Sequence, residues 1–345
     1  MDFERTGSRE KGVSVLFLCR WRSGKKAGNG SGQLEKRVSG IVEIEDEGIR
    51  LGHFLRKNMH LTKNEISRAK FRQGGICVNG ERRKVNGLLK AGDFVEALLE
   101  TEDEVSKGVE AFEGGITVLY EDQDVVVVDK PSGLKVHPAG GTDDDTLANR
   151  LAAYLRGKGE DSVIRIFGRL DKDTSGAVLA VKNRGAAVRL ERQREQGQLF
   201  KSYLAIVEGT PEPGEGKIDK PLRPVPGQRN RMHVDTEGKR AVTYYTLLDE
   251  VPRPEKDSLV GLRLETGRTH QIRVHMASIG CPLLGDPLYG KGAVQGMERT
   301  ALHAWRIHFL QPFTGEEVQV EAPLPEDMRL FLSISSDCFS KNAAP

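Results

Sequence analysis

Apolar residues recur along this chain with two periods, and the places where the period changes outline its organisation. Between Ile49 and Leu99, Leu51, Phe54 and Leu55 fall at helical spacing, and Ile66 and Ala69 follow at the spacing of a second short helix. Ile76-Cys77-Val78 then meets Asn79-Gly80, the dipeptide of a tight hairpin. This predicts a small helix, helix, hairpin module. Further on, residues 116–120 and 125–128 predict adjacent strands joined by a polar turn, the second apolar enough to be buried on both faces. Residues 177–181 and 203–207 predict two more strands, with a charged helix at about 186–196 between them. Strands are also predicted at 241–248, 259–264, 300–309 and 318–321. Thr269 is placed to cap a helix carrying Ile272, Met276 and Ile279 on one face and stopped by Gly280 and Pro282.

The segments between these elements set the boundaries. Residues 1–40 predict a flexible extension, since 23–40 combine glycine, serine and charge without an apolar period. The small module occupies 41–100. Residues 101–115, acidic and poor in large apolar residues, suit a linker to a larger unit over 116–335, and 336–345 form a tail. The length of 345 residues suits two domains, and no internal repeat is visible.

Composition narrows the possible partners. With 52 basic and 50 acidic residues the net charge is +2, so any nucleic-acid surface is a local feature. The four cysteines are scattered without a Cys-x-x-Cys pair, which argues against a structural zinc site and a disulfide framework and fits a reducing cytosol. The run Val13 to Cys19 is too short to span a bilayer, so a soluble, cytoplasmic protein with no membrane partner is expected. The 39 glycines indicate many tight turns between strands.

The candidate chemistry centres on Gly168-Arg169-Leu170-Asp171-Lys172-Asp173-Thr174-Ser175-Gly176, which places Asp171 at a turn just before a strand. Arg169 and Asp171 are two apart and share a face in an extended segment, the setting a nucleophilic carboxylate needs. Taken alone, an Asp-Lys-Asp turn is more often a hydrogen-bonded turn or a helix cap than an active site. Its neighbours decide otherwise. Lys130-Pro-Ser-Gly-Leu-Lys-Val-His137-Pro, Lys201-Ser-Tyr203-Leu-Ala, Glu265-Thr-Gly-Arg268-Thr-His270-Gln-Ile-Arg273-Val-His275, Leu284-Gly-Asp286-Pro-Leu-Tyr289-Gly and Leu302-His-Ala304 follow in order, and with the Asp171 segment they resemble the RluA family of pseudouridine synthases over residues 116 to about 326. Gly48-Ile-Arg50-Leu-Gly-His-Phe-Leu, Ser67-Arg68-Ala-Lys70, Gly74 to Gly80 and Lys90-Ala-Gly-Asp93 resemble an S4 RNA-binding domain.

The first resemblance implies an α+β fold, a mixed and largely antiparallel sheet with flanking helices, joined here to a small α/β S4-like domain. It implies an isomerase that converts uridine to pseudouridine in structured RNA, with Asp171 as catalytic carboxylate. Tyr203 would stack on the extruded uracil and relay a proton. Arg268 would pair with the aspartate and hold its geometry with a planar fork. Arg169 would occupy the space left by the flipped base. Arg273 and Gln271 are expected as polar residues near the site, Arg273 as an RNA contact, with Lys130 and His137 shaping the cleft. The S4 resemblance adds Arg50, Arg68 and Lys70 as RNA contacts. One departure stands out: the family has histidine before Arg-Leu-Asp, and this chain has Gly168.

Substrate and product are isomers, so no cofactor is expected, and no nucleotide-binding glycine loop or flavin motif appears. No metal is expected, because neither His270 and His275 nor His303 and His308 have ligand spacing. Ribosomal RNA is the expected partner and transfer RNA the alternative, with no DNA partner, and the chain is expected to be monomeric. The competing readings are a silent RNA-binding assembly factor on the same scaffold and an N-glycosidase with an aspartate nucleophile.

Overall fold

The computed structural model describes residues 20–21, 35–100, 111–138, 145–160, 164–228, 230–251 and 256–332. The expected extension up to residue 19, most of the linker and the tail lie outside them. The chain divides into two compact units, Met1–Glu102 with Phe313–Gly315, and Asp103–Pro312 with Glu316–Pro345.

In the first unit, helices Leu51–Lys57 and Lys63–Ala69 accompany a five-stranded antiparallel sheet in the order Arg20–Trp21, Glu35–Ile41, Phe94–Glu100, Ile76–Val78, Glu81–Arg82. The apolar stripes predicted above are its core: Leu51, Phe54, Leu55, Ile66, Ala69 and Ile76 are buried. The second helix starts on a capping box, in which Glu65 N donates to Thr62 Oγ1 at 3.1 Å and Thr62 N to the Glu65 carboxylate at 2.6 Å. Asn79 and Gly80 take φ of +53° and +81°, the two left-handed residues that a two-residue hairpin requires. The strand Glu35–Ile41 corrects the expected extension. Its residues are polar apart from Val38 and Ile41, but all seven pair in register with Phe94–Glu100.

The second unit is built on a ten-stranded mixed sheet. Its main path runs Glu215–Asp219, Val242–Glu250, Ser258–Leu264, Phe200–Val207, Leu302–Leu310, Ser175–Val181, Val125–Lys130, Thr117–Glu121, with Glu317–Glu321 and Arg165–Phe167 paired beside it. Every pairing is antiparallel except that of Leu302–Leu310 with Ser175–Val181. Val125 to Val128 are fully buried. Helices Leu147–Gly157 and Gln271–Ala277 pack on one face, where Leu147, Leu151, Ile272 and Met276 join Val126, Val128, Tyr203 and Ala205. On the other face, Met328, Phe331 and Leu332 of helix Glu326–Leu332 meet Leu204, Ile206 and Trp305. The alternation along Phe200–Val207 therefore puts Tyr203 on the same side as Gln271–Ala277.

The parallel junction explains part of the motif around Asp171. Gly176 has φ +108°, and a Cβ there would lie 2.2 Å from Ala304 O, so no other residue fits beside the neighbouring strand. The preceding Ser175 hydroxyl bonds His303 Nδ1 at 2.9 Å, and His303 Nε2 faces Ala322 O at 3.3 Å. The carbonyl can only accept, so His303 is a neutral imidazole with its proton on Nε2. Burial pushes its pKa from 6.5 down to about 4. Between these values the unfolded chain binds more protons than the folded one. Stability from the neutral ring is thus complete above 6.5 and is lost as pH falls toward 4, at a cost of up to about 3 kcal/mol. Buried His275, also pushed below 6.5 by desolvation, adds in the same direction. Urea midpoints at pH 7 and pH 5 measure the slope, and His303→Asn, which cannot charge, flattens it.

Candidate active site

Asp171 lies in the loop before strand Ser175–Val181, and the loop is held through its own carbonyls. The fully buried Lys130 donates to Lys172 O at 2.9 Å, Leu134 O at 2.8 Å and Pro131 O at 2.9 Å, so three acceptors match the three donors of an ammonium. Burial holds Lys130 down to about 8, against the pull of the Asp173 and Asp171 charges. Gly133 N donates to Lys172 O at 3.0 Å, and the Ser132 hydroxyl and Arg299 Nη1 donate to Asp173 O at 2.9 and 3.1 Å. Thr174 N closes the turn onto Asp171 O at 3.2 Å. The backbone beneath Asp171 is thus fixed while its side chain is 30% exposed.

Two cations or potential cations face the carboxylate. Arg273 Nη1 lies 3.7 Å and His270 Nε2 3.9 Å from Asp171, both from the same oxygen, Oδ2. The two residues are three apart at the start of helix Gln271–Ala277, so they emerge on one side of it. Arg273 is buried and makes a fork to the fully buried Asp286, with Nε and Nη2 each 2.7 Å from a carboxylate oxygen. Asp286 Oδ1 also accepts from Leu288 N and Tyr289 N at 2.9 and 3.2 Å. Tyr289 stands under the Arg273 guanidinium, 5.1 Å from its ring centre, and its hydroxyl is 2.9 Å from His270 Nδ1. Tyr203 is buried on the same side of the sheet, and burial, reinforced by the charge of Asp171, raises its pKa well above 10. The phenol therefore stays protonated at neutral pH. Among the described residues its hydroxyl makes no hydrogen bond.

A buried, braced cation beside an accessible carboxylate, with a protonated phenol within electrostatic reach, is equipped to hold a nucleophile in one orientation and to handle a proton. The family model for RNA pseudouridylate synthase matches residues 124–278, which contain all three groups. An uncharacterised RNA pseudouridine synthase of Bacillus subtilis, YlyB, is 40% identical over 291 residues, 82% of this chain and 93% of that protein. The chain belongs to the RluA family of pseudouridine synthases. A ribosomal large subunit pseudouridine synthase D of Xanthomonas campestris is 37% identical over 78% of this chain and 85% of that one. The solved structure of human RNA pseudouridylate synthase domain containing 4 superposes with a TM-score of 0.50 at 26% identity, covering 64% of this chain and 94% of that one. This synthase is accordingly an isomerase that acts on RNA, and its α+β fold is that of the family.

Within the synthase, the expected partner of Asp171 is corrected. Arg268 is exposed, and its Nε donates to Arg240 O at 3.1 Å. It sits in the turn ahead of the helix, whereas Arg273, expected as an RNA contact, is the arginine at the carboxylate. Arg273 is buried against Asp286, which leaves it little surface to offer a phosphate. The helix also starts later than predicted: its cap is His270, with φ +53° and no side-chain cap bond, not Thr269. Gln271 takes over part of that task, its Oε1 accepting from Arg268 N at 3.0 Å and from the Thr266 hydroxyl at 2.8 Å.

Arg169 is exposed on the Asp171 loop, with His137, also exposed, in its electrostatic range. Gly168 has φ +82°, a conformation L residues rarely adopt, and a Cβ there would lie 3.6 Å from the Lys201 ammonium. The glycine thus has a conformational reason of its own in this chain. Burial lowers Lys201 to about 8. Arg50, Arg68 and Lys70 are exposed in the first unit, at the cap of the first helix and along the end of the second. Sequence reasoning missed Asp286, Tyr289 and His270. All three lie in quoted motifs, and the three-residue spacing of His270 and Arg273 was the available signal. Among the described residues no group of three His, Cys, Asp or Glu is placed to hold a metal, and no helix is long and apolar enough to cross a membrane.

Proposed function

We propose that this synthase isomerises uridines in large-subunit ribosomal RNA, acting in the cytosol as a monomer, with Asp171 as its nucleophile. The observation that carries the reading is the Asp171 carboxylate: it is partly exposed, makes no side-chain hydrogen bond among the described residues, and is faced by Arg273 on a rigid mount. Asp171 attacks the target nucleoside and the bond from ribose to N1 of uracil breaks; the base turns and rejoins through C5 as the carboxylate is released, C5 losing its proton and N1 taking one up. Tyr203, protonated and buried beside the site, supplies a surface for the uracil and a hydroxyl for the proton transfers. Arg273 holds the carboxylate through charge and geometry. Arg169, exposed on the same loop, is suited to fill the stack vacated by the flipped uridine.

The choice of ribosomal RNA rests on relatives named for the large subunit and on the first unit, which we read as an S4-like RNA-binding domain. Arg68, Lys70 and Arg72 at the end of its second helix flank Phe71, which is 78% exposed, with the Lys70 ammonium 4.7 Å from its ring centre. A bare aromatic among cations is a place for an unstacked base to settle. Phe71→Ala is expected to weaken RNA binding by about 1–3 kcal/mol, measured as the Kd for a ribosomal RNA fragment, with the rate at saturating RNA unchanged. The substrate is tested by mapping pseudouridines in ribosomal and transfer RNA from a strain that lacks the enzyme. Loss of a large-subunit site is the expected result; losses confined to transfer RNA would refute the ribosomal assignment.

A further inference from the structure

The carboxylate of Asp171 has two oxygens, and the ion-pair approach of each facing group is to the same one. Arg273 Nη1 and His270 Nε2 both approach Oδ2. Oδ1 accepts no hydrogen bond among the described residues. An N–H on His270 Nε2 would therefore combine with the guanidinium to hold Oδ2 and leave Oδ1 to attack. Whether Nε2 carries that proton depends on what its other nitrogen does.

The partners of Nδ1 point to one tautomer. Met232 N, in the strand Met232–Val234 of a two-stranded hairpin, donates to the Tyr289 hydroxyl oxygen at 2.8 Å. That hydroxyl lies 2.9 Å from His270 Nδ1, and among the described residues its own proton has no other acceptor. The phenol proton is thus available to Nδ1, and donated there it leaves Nδ1 unprotonated and puts the ring proton on Nε2, facing Asp171. His275 and His303 show the same order of partners. Each has a hydroxyl on Nδ1, from Thr243 at 2.8 Å and Ser175 at 2.9 Å, and a pure acceptor on Nε2, Lys220 O at 2.9 Å and Ala322 O at 3.3 Å. His270 differs in that its acceptor is the proposed nucleophile. Its side chain is only 10% exposed and its backbone is held at φ +53°, with the Tyr289 ring edge-on at 5.7 Å, so the imidazole has a fixed place.

We propose that His270 is a positioning residue of the isomerisation, a neutral imidazole whose Nε2–H, together with Arg273, holds Oδ2 of Asp171, its tautomer being set by Tyr289 and the Met232 amide. The inference rests on Asp171 being the nucleophile. The charged groups around the ring are Asp171 and Arg169 on the Asp171 loop, Arg273 on its own helix and Asp286 beside Tyr289; desolvation outweighs them and keeps the ring below its ordinary 6.5. A second proton would take Nδ1 away from the Tyr289 hydroxyl and break the arrangement.

The test compares wild type with His270→Ala, His270→Gln and Tyr289→Phe in single-turnover pseudouridine formation on one RNA, across pH 5 to 8, with Kd measured in parallel. Loss of the Nε2–H that stands 3.9 Å from Oδ2 is expected to slow the Ala variant by up to about 100-fold at unchanged Kd, the scale on which misplacement of a reacting group is felt. Gln, whose amide can donate but cannot charge, restores most of the rate and removes the acid limb that protonation of His270 is expected to give the wild type below pH 6.5. Tyr289→Phe slows the reaction without abolishing it. A wild-type rate in the Ala variant, or a Gln variant no faster than Ala and with the same pH profile as wild type, would overturn the proposal. Asp171→Asn, run beside them, separates the two readings: its inactivity with an unaffected His270→Ala removes only the role of His270, whereas its activity removes the nucleophile.

Discussion

Asp171→Asn binds RNA and folds as the wild type does, and forms pseudouridine at least about four orders of magnitude more slowly, the scale on which removal of an enzymatic nucleophile is felt. The substitution keeps the shape of the side chain and replaces an attacking oxygen with an amide. Stability is expected to be unchanged because the carboxylate is partly exposed and makes no side-chain hydrogen bond among the described residues. The loop geometry rests instead on Lys130, Ser132, Gly133 and Arg299 acting on the carbonyls of Lys172 and Asp173. Single-turnover rates with excess enzyme, together with thermal melts, measure both halves. A rate within tenfold of wild type would remove Asp171 from the chemistry.

Arg273→Leu produces the second large effect, and it acts on stability as well as rate. The substitution strands Asp286, fully buried, without the guanidinium that accounts for two of its hydrogen bonds. Removing one partner of a buried ion pair costs about 3–5 kcal/mol, because the remaining charge is left in a dry site. The rate per folded molecule falls by about 100- to 1000-fold as the carboxylate loses its charged neighbour. Arg273→Lys keeps the charge but not the fork and falls between the two. Arg268→Ala provides the contrast: an exposed residue whose side chain, among the described residues, hydrogen-bonds only Arg240 O is expected to change neither stability nor rate by more than about twofold, as surface positions usually behave. Equal losses at the two positions would contradict the assignment of Arg273.

The two arginines show what the sequence could and could not tell. Strands rich in valine and leucine, such as Val125–Lys130 and Ser175–Val181, announce themselves because burial on both faces leaves an unbroken apolar run. Asp171 and Tyr203 stood out because the motifs around them occur in a fixed order. The choice between Arg268 and Arg273 depended on where a helix begins, and that is set by His270 in a left-handed conformation rather than by a capping side chain at Thr269. Asp286 and Tyr289 sit 13 and 16 positions beyond Arg273, so their contact with it is a property of the folded chain that no local period encodes. The strand Glu35–Ile41 was hidden for another reason: only Val38 and Ile41 are apolar, and its order comes from seven paired residues of a neighbour distant in sequence. The hairpin of Leu222–Pro224 and Met232–Val234 is too short and too rich in proline and charge to show a strand period, yet its Met232 amide reaches the Tyr289 hydroxyl.

Release of tritium from RNA labelled at C5 of uridine tests the central claim most directly, since attachment of the uracil through C5 expels that hydrogen and hydrolysis of the glycosidic bond does not. The wild-type protein is predicted to release tritium from ribosomal RNA in step with the appearance of pseudouridine, without free uracil, and Asp171→Asn to release none. Absence of release from any cellular RNA, or cleavage yielding free uracil instead of pseudouridine, would contradict it.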